Sequence, residues 1–404
     1  MNSEKAAPDR LDILLYGVRI GRMSRRGTAI WIEYLESYAS APDRPVFSLR
    51  YEDSPRANLS SRLRLPPWYA GLLPEGRVRA MLAADAGVLE SDDFAILAHT
   101  GHDLPGAVSL LPVGACEAPG PQAHAEPPSD GSLDVGDLTE GHGILRFSLA
   151  GAALKFSMVQ DSDRLTLPAR WDRGDWIVKL PDPEYPDLPR HEHAMAIFAG
   201  QAGIDVPETQ LISRDMIDLP PGAWRSREAV AFASRRFDRD DHRHPVHIED
   251  LAQVRGFAPD EKYRGTFETL GNLVYRGVDE ESFEQFIRRL VFFVLIGNDD
   301  AHLKNWSLIY RDRFRPTLAP AYDIVATENY LPPARKEGLT LGGKSHLPDF
   351  RIGPIVTLGE RLGVRLDVGD IAADAVRRTV EAFSIAADAL GGLSGQARCL
   401  EDRL

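Results

Sequence analysis

Short apolar-rich runs and longer apolar stripes divide this chain into a strand-rich front and a helix-rich back. Near the start, Asp12 to Tyr16, Ala29 to Tyr34 and Phe47 to Tyr51 read as strands. Arg77 to Ala84 reads as a helix behind the turn Leu73-Pro74-Glu75-Gly76, and Asp92 to His99 as another. This makes a small α+β unit over residues 1–112. Residues 113–140 lose their aliphatics and fill with Pro, Gly, Ala and acids, the composition of a linker or flexible loop. Strands dominate again over 141–240: Leu145 to Ser148, Lys155 to Val159, Trp176 to Lys179, Thr209 to Ser213 and Ala229 to Arg236. One helix interrupts them, Arg190 to Ala202, with Gly203 at its C-cap. Over 241–404 helices take over: His247 to Val254, Thr266 to Tyr275, Glu281 to Ile296 and Ile371 to Leu390. A short strand, Trp306 to Tyr310, is set among them. The expected class is α+β, a β-rich lobe followed by an all-α lobe.

Length and charge narrow the picture. With 404 residues the chain suits two or three units. The net charge of −13 disfavours broad electrostatic binding of nucleic acid by this chain alone, while DNA contact through a basic partner stays open. Two cysteines, Cys116 and Cys399, point to a reducing compartment without a disulfide framework. The first residues lack the apolar core of a secretory signal, and the run Leu290 to Ile296 is too short to span a bilayer. A soluble, cytoplasmic protein with no membrane partner is expected.

The candidate chemistry centres on Gly297-Asn298-Asp299-Asp300-Ala301-His302-Leu303-Lys304-Asn305, between the apolar end of a helix and a strand. Asp300 and Asn305 have the D-x-x-x-x-N spacing of a kinase catalytic loop. In such a loop the Asp accepts the substrate hydroxyl proton and the Asn holds magnesium. His302 and Lys304 share the loop and join the catalytic candidates. Asp323, in Tyr322-Asp323, stands where a second metal-binding acid would follow. A solvated Asp/Asn/Lys loop has a similar composition, but a rigid helix-to-strand scaffold is where catalytic loops are held. Ser148-Leu149-Ala150-Gly151-Ala152-Ala153-Leu154-Lys155 joins two strand-like runs, and its small residues would let backbone N–H groups approach phosphates. Trp176-Ile177-Val178-Lys179-Leu180 is an apolar strand with one Lys, a phosphate-contact candidate with Glu192 on the next helix as its ion-pair partner. Arg235 and Phe237 fall where a hinge would meet adenine. His191 and His193 flank Glu192 on different helix faces, and His242, His244 and His247 lack a metal-ligand spacing, so neither group reads as a metal site.

Taken in order, these motifs resemble the HipA family of serine/threonine kinases, the toxins of HipBA-type toxin–antitoxin modules. Ser148 to Lys155 is similar to the family's S-x-A-G-x-x-x-K loop, Ile177 to Leu180 to its lysine strand, and Glu192 to its helix glutamate. Arg236-Phe237-Asp238-Arg239 resembles its R-F-D-R segment. His247 to Gln253 with Lys262-Tyr263 resembles its E-D-x-x-Q…K-Y motif, and Gly297 to Asn305 with Tyr322-Asp323 its catalytic loop and metal site. Leu72 to Gly76 and Pro105 to Val108 resemble its L-L-P-E-G and P-G-A elements.

The resemblance implies a two-lobed kinase fold related to phosphatidylinositol 3/4-kinases, using ATP and Mg2+. Asp300 would be the base, Asn305 and Asp323 the metal ligands, and Lys179 a phosphate contact. Ser148 would be an autophosphorylated switch. It also implies a HipB-like helix-turn-helix antitoxin that binds operator DNA, and a protein substrate such as an aminoacyl-tRNA synthetase. Arg235 departs from the family's usual Glu, and Ala152-Ala153-Leu154 from its Gln/Pro-Glu pair. Two alternatives remain open on the residues: an antitoxin-coupled co-repressor with a weak or silent site, and a kinase for a small molecule or lipid.

Overall fold

The computed structural model describes residues 8–56, 58–114, 154–162, 164–168, 172–219, 222–330, 338–391 and 394–404. The linker expected over 113–140 therefore lies, from residue 115 on, outside the described residues, as does the strand expected over Leu145 to Ser148. The first unit runs β1 (Arg10–Leu15), β2 (Val18–Arg26), β3 (Ala29–Tyr34), α1 (Glu36–Ala39), β4 (Leu59–Arg62), α2 (Pro67–Ala70), α3 (Gly76–Ala86), α4 (Asp93–Thr100) and β5 (Val108–Pro112). Its antiparallel sheet has the order β4-β3-β2-β1-β5. β1 lies between β2 and β5, and its residues after Arg10 are buried on both faces.

A second sheet follows, built from β6 (Lys155–Asp161), β7 (Arg164–Thr166), β8 (Trp176–Lys179), then α5 (Leu188–Gln201), β9 (Thr209–Ser213) and β10 (Val230–Arg235). Its order is β7-β6-β8-β10-β9. The third part holds β11 (His247–Asp250), α6 (Leu251–Arg255), α7 (Phe267–Tyr275), α8 (Glu280–Ile296), β12 (Ser307–Tyr310), β13 (Thr317–Leu318), α9 (Gly353–Leu362), α10 (Val368–Ala389) and α11 (Ser394–Glu401). The lobe expected to be all helical thus carries a small sheet, β11-β12-β13.

α8 shows how local sequence places the loop that matters. Asp279 accepts from Ser282 N and caps the first turn, which holds Glu280 and Glu281. Phe283, Phe286, Ile287, Leu290 and Phe293 bury one face. Gly297, with φ of 72°, ends the helix in the left-handed region that glycine enters without strain. The loop from 298 begins there.

Two expected elements differ. Phe47 to Tyr51 is not a strand. Ser48 caps a 3-10 turn over Leu49–Tyr51, and Phe47 packs 4.3 Å centroid to centroid from Trp68. His247 to Val254 is not one helix. His247–Asp250 pairs with Ser307–Tyr310 as a strand, and the Asp250–Gln253 capping box starts α6. The strands β2, β4 and β5 and helices α9 and α11 had no expectation attached. β2 reads VRIGRMSRR, and its arginines hide the buried Ile20 and Met23.

Two cores result. One joins the first unit to the second sheet, with Leu11, Ile13, Trp68 and Leu110 beside Phe156, Val178 and Ala233. The other joins α5 to the helices behind it, through Met195, Phe198, Phe286 and Trp306. Between the first unit and the helical lobe lies a buried polar seam. Glu249 accepts from Ser48 Oγ at 2.6 Å, Leu49 N at 2.9 Å, Trp68 Nε1 at 3.0 Å and Tyr310 OH at 2.5 Å. Gln253 Nε2 donates to Trp68 O at 3.0 Å. His247 accepts from Ala107 N and donates from Nε2 to Phe47 O, and its burial holds the imidazole down at about 4. A second knot pairs Arg236 and Arg239 with Asp103 and Asp238, all buried. Gly106 N donates to Asp238 Oδ2 at 2.7 Å, and a side chain on Gly106 would strike Ile248 N.

Glu249→Ala strands four buried donors at once. It is expected to lower stability by about 3 kcal/mol, read as a reduced urea midpoint with an unchanged slope.

Candidate active site

A cleft of about 450 Å³ opens between the second sheet and the helical lobe, and Gly71, Leu72 and Glu75 of the first unit form part of its wall. The sheet supplies a row of groups in register: Lys155 on β6 lies opposite Lys179 on β8, and Lys179 opposite Phe232 on β10. Strand neighbours in register share a face, so both ammonium groups serve the same cleft. Lys179 Nζ donates to Glu192 Oε2 at 2.5 Å and also binds Asp323 Oδ1. α5 delivers Glu192, buried, from one turn inside its start.

The electrostatics follow from crowding. Burial would push Asp323 up, but the Lys179 and Lys155 ammonium groups hold it well below the carboxylate range. Burial pushes Glu192 up, and Lys179 offsets only part of this. Burial would lower Lys179, yet its two carboxylates hold it above its ordinary value. Lys155 is lowered to about 8, by burial first; Asp323 pulls it back up, while Lys179 and Lys304 add to the lowering.

Across the cleft, the loop after α8 folds on itself. Asn305 Nδ2 donates to Asp300 O at 2.9 Å, and Asp300 N to Asn298 Oδ1 at 3.1 Å. Tyr263 OH donates to Asp300 Oδ1 at 2.5 Å. His302 is buried against the Tyr263 ring, its imidazole lowered to about 4 mainly by desolvation, so it is neutral near pH 7. Its Nδ1 has no hydrogen-bond partner among the described residues. Lys304 Nζ donates to Glu75 Oε1 at 2.6 Å. Tyr322 OH donates to Lys304 O at 2.7 Å and lies 2.6 Å from Ser307 Oγ, which fixes the backbone just before Asp323. Asp323 itself has φ of 59°, a left-handed conformation that a non-glycine residue holds only when its surroundings impose it.

The structure brings Lys155, Lys179, Glu192, Asp300, His302, Lys304, Asn305 and Asp323 to one cleft, with Arg235 and Phe237 at its sheet side. Phe237 stacks obliquely 5.6 Å from Tyr322. Arg235 reaches out to Asp241 at 2.8 Å, at the rim. Ser148, Ala150, Gly151 and Ala152 lie outside the described residues. His191 is spent on structure: its Nε2 accepts from Ala326 N at 3.0 Å, and its Nδ1 lies 2.6 Å from Gln396 Oε1.

Asn305 and Asp323 are the oxygen donors that fit magnesium. The Asn305 amide nitrogen is committed to Asp300, which leaves its carbonyl oxygen as the ligand atom. Among the described residues no group of three or more His, Cys, Asp or Glu is arranged for a metal. A magnesium ion held by Asn305 and Asp323 would take one carboxylate and complete its shell with phosphate and water. Glu75, Tyr263 and the Glu249–Gln253 pair carried no individual role in the sequence reading. Their signal is the short motifs around them, since a Glu beside Pro74 or a Tyr beside Lys262 says nothing alone.

Comparison with known proteins decides the family. Residues 147–387 match the HipA-like C-terminal domain, and residues 11–111 the HipA N-terminal domain. The chain belongs to the HipA family. A provisionally named kinase of Sinorhizobium fredii is 41% identical over 332 residues, covering 80% of this chain and 78% of that protein. A second one from the same organism is 30% identical over 375 residues, covering 87% of each. HipA solved with HipB and operator DNA, from Shewanella oneidensis MR-1, superposes with a TM-score of 0.70 at 18% identity, over 97% of this chain and 96% of that one. The HipA fold, two-lobed and kinase-like, is therefore that of this chain.

Lys179→Met removes the cation bonded to buried Glu192 and should cost about 3–5 kcal/mol near neutral pH. The orphaned carboxylates then take up protons more readily folded than unfolded, so the deficit should shrink as pH falls from about 8 to about 5. Denaturant titrations of both proteins at the two pH values check the sign.

Proposed function

We propose that this chain is a serine/threonine protein kinase that uses ATP and magnesium and acts as the toxin of a toxin–antitoxin pair. The observation that carries the reading is the convergence of the Lys179–Glu192–Asp323 cluster with Asp300 and Asn305 in one cleft. Phosphoryl transfer asks for positioning and charge neutralisation more than covalent chemistry, and this cleft offers both.

Lys179, held by Glu192, would contact phosphate oxygens of a bound nucleotide, and Asp323 with Asn305 would hold magnesium, which would neutralise charge on the phosphates. Lys155 adds a second cation from the neighbouring strand. Asp300, its carboxylate oriented by Tyr263, accepts the proton of the attacking hydroxyl. The apolar sheet side near Phe232 and Phe237 suits the adenine ring.

Ser148 is proposed as a self-phosphorylation site. A phosphoserine carries about −1.5 to −2 charges, which would repel the phosphates its loop cradles. The proposed substrate is a translation protein such as an aminoacyl-tRNA synthetase, in keeping with the family resemblance. A HipB-like helix-turn-helix antitoxin is the proposed partner, as HipB is for the Shewanella protein. The net charge of −13 leaves operator DNA to that partner. No described helix is long and apolar enough to cross a membrane, in keeping with a cytoplasmic site of action.

The reading is tested by peptide mass spectrometry after incubation with ATP and magnesium, beside Asp300→Asn. One phosphate on Ser148 in the parent and none in a folded variant is expected. Equal phosphate in both would remove Asp300 from the chemistry, and none in the parent would remove the switch. A second test uses pH. Lys155 loses its proton near pH 8 in the free protein, so ATP affinity should weaken several-fold from about pH 7 to about pH 9, and Lys155→Met should flatten that trend.

A further inference from the structure

Glu75, an acidic residue of the cleft wall, has no part in the catalytic reading. Glu75 lies in the turn before α3, in the first unit, more than 200 positions from the loop it touches. Its carboxylate takes Lys304 Nζ at 2.6 Å and lies 3.8 Å from Lys262 Nζ. Burial would push its carboxyl up, but Lys304 and then Lys262 pull it below the ordinary carboxylate value. Lys304 is almost wholly enclosed, with 4% of its side chain exposed. Its carbonyl is held from the other side by Tyr322, and Leu303 N donates to Lys262 O at 3.0 Å. The neighbouring residue, Tyr263, holds Asp300. Glu75, Lys262, Lys304, Tyr263 and Asp300 are thus one cluster at the acceptor side of the cleft.

Lys304 has another place to go. Lys155 and Lys179 are close enough that each ammonium in this cleft repels its neighbours, with Lys304 contributing to the lowering of Lys155. A bound triphosphate reverses that balance and draws every cation in reach toward the phosphates. A flexible lysine stem would follow unless an anion held it.

We propose that Glu75 is a positioning residue, through which the N-terminal unit holds Lys304 beside Asp300 at the acceptor side and away from the phosphate side of the cleft. The proposal rests on the kinase reading and adds to it a role for the first unit in phosphoryl transfer. Held there, Lys304 can meet charge that develops between phosphate and incoming hydroxyl. Released, it binds the ground-state nucleotide more strongly and serves the transfer less, because only contacts stronger in the transition state speed a reaction.

The test compares the full-length protein with Glu75→Gln and Glu75→Asp. Glu75→Gln should bind a fluorescent ATP analogue about threefold or more tightly and transfer phosphate about tenfold or more slowly. Glu75→Asp keeps the charge and should recover most of the rate. Amine acylation read by mass spectrometry, without nucleotide, should label Lys304 faster in Glu75→Gln, with exposed Lys344 unchanged as the internal reference. A variant that lost activity by partial unfolding would keep the parent's nucleotide affinity per active molecule. Unchanged labelling of Lys304, unchanged or raised turnover in Glu75→Gln, or no recovery in Glu75→Asp would overturn the proposal. The labelling arm does not need turnover. A parent protein that transfers no phosphate yet shows the labelling difference would count against the kinase reading and leave the Glu75–Lys304 coupling standing.

Discussion

The architecture depends on buried charge being answered at the seam between the first unit and the helical lobe. Glu249 meets four donors there, three from the first unit and the fourth, Tyr310, from the strand beside its own. A carboxylate taken out of water costs several kcal/mol unless its lone pairs are filled. The first unit is therefore the source of partners that make Glu249 tolerable, and it cannot be an appendage on a string. The Asp103–Arg236–Asp238–Arg239 knot repeats the arrangement on the sheet side, with two acids and two bases at almost no exposure. Such seams are specific because a shift of one register leaves charges unpaired, whereas an apolar interface would slide.

This bracing explains the precision of the cleft. The loop over 298–305 is fixed by hydrogen bonds within itself, by Tyr322 from one side and by the K-Y segment from another. The left-handed Asp323 is kept in place by the ion pair to Lys179 and by the anchoring of Tyr322. No single element could hold these groups. The cleft walls come from three parts of the chain, each tied to the next by buried polar contacts.

Much of this was legible in the sequence, and the reasons for the rest are physical. The loop Asp300 to Asn305 could be found because helix α8 announces itself by its apolar face and stops at Gly297. Lys179 could be found because a lone lysine stands out in Ile-Val-Lys-Leu. The strand His247–Asp250 could not, since a polar edge before a capping box looks like the helix it precedes. Phe47 to Tyr51 looked like a strand because aromatic residues favour strands, while tertiary contacts with Trp68 and Glu249 decided otherwise. The pairing of Glu75 with Lys304 joins residues too far apart for any local pattern to connect. Arg235 and Phe237 illustrate the limit within the cleft: spacing put both near the hinge, but only the structure separates a rim arginine from a ring facing Tyr322.

The two cores divide the chain in a way the linear order conceals. α5 follows the strand that carries Lys179, yet its apolar face, through Met195 and Phe198, belongs to the core of the helical lobe. Val178, next to Lys179, belongs to the core of the sheet. The bond between Lys179 and Glu192 is therefore a rivet across the boundary between two bodies, rather than a brace inside one. α5 also touches the sheet itself, His193 Nδ1 lying 3.0 Å from Thr209 Oγ1, so the ion pair sits at the point where the two cores meet and joins the cation of one to the carboxylate of the other.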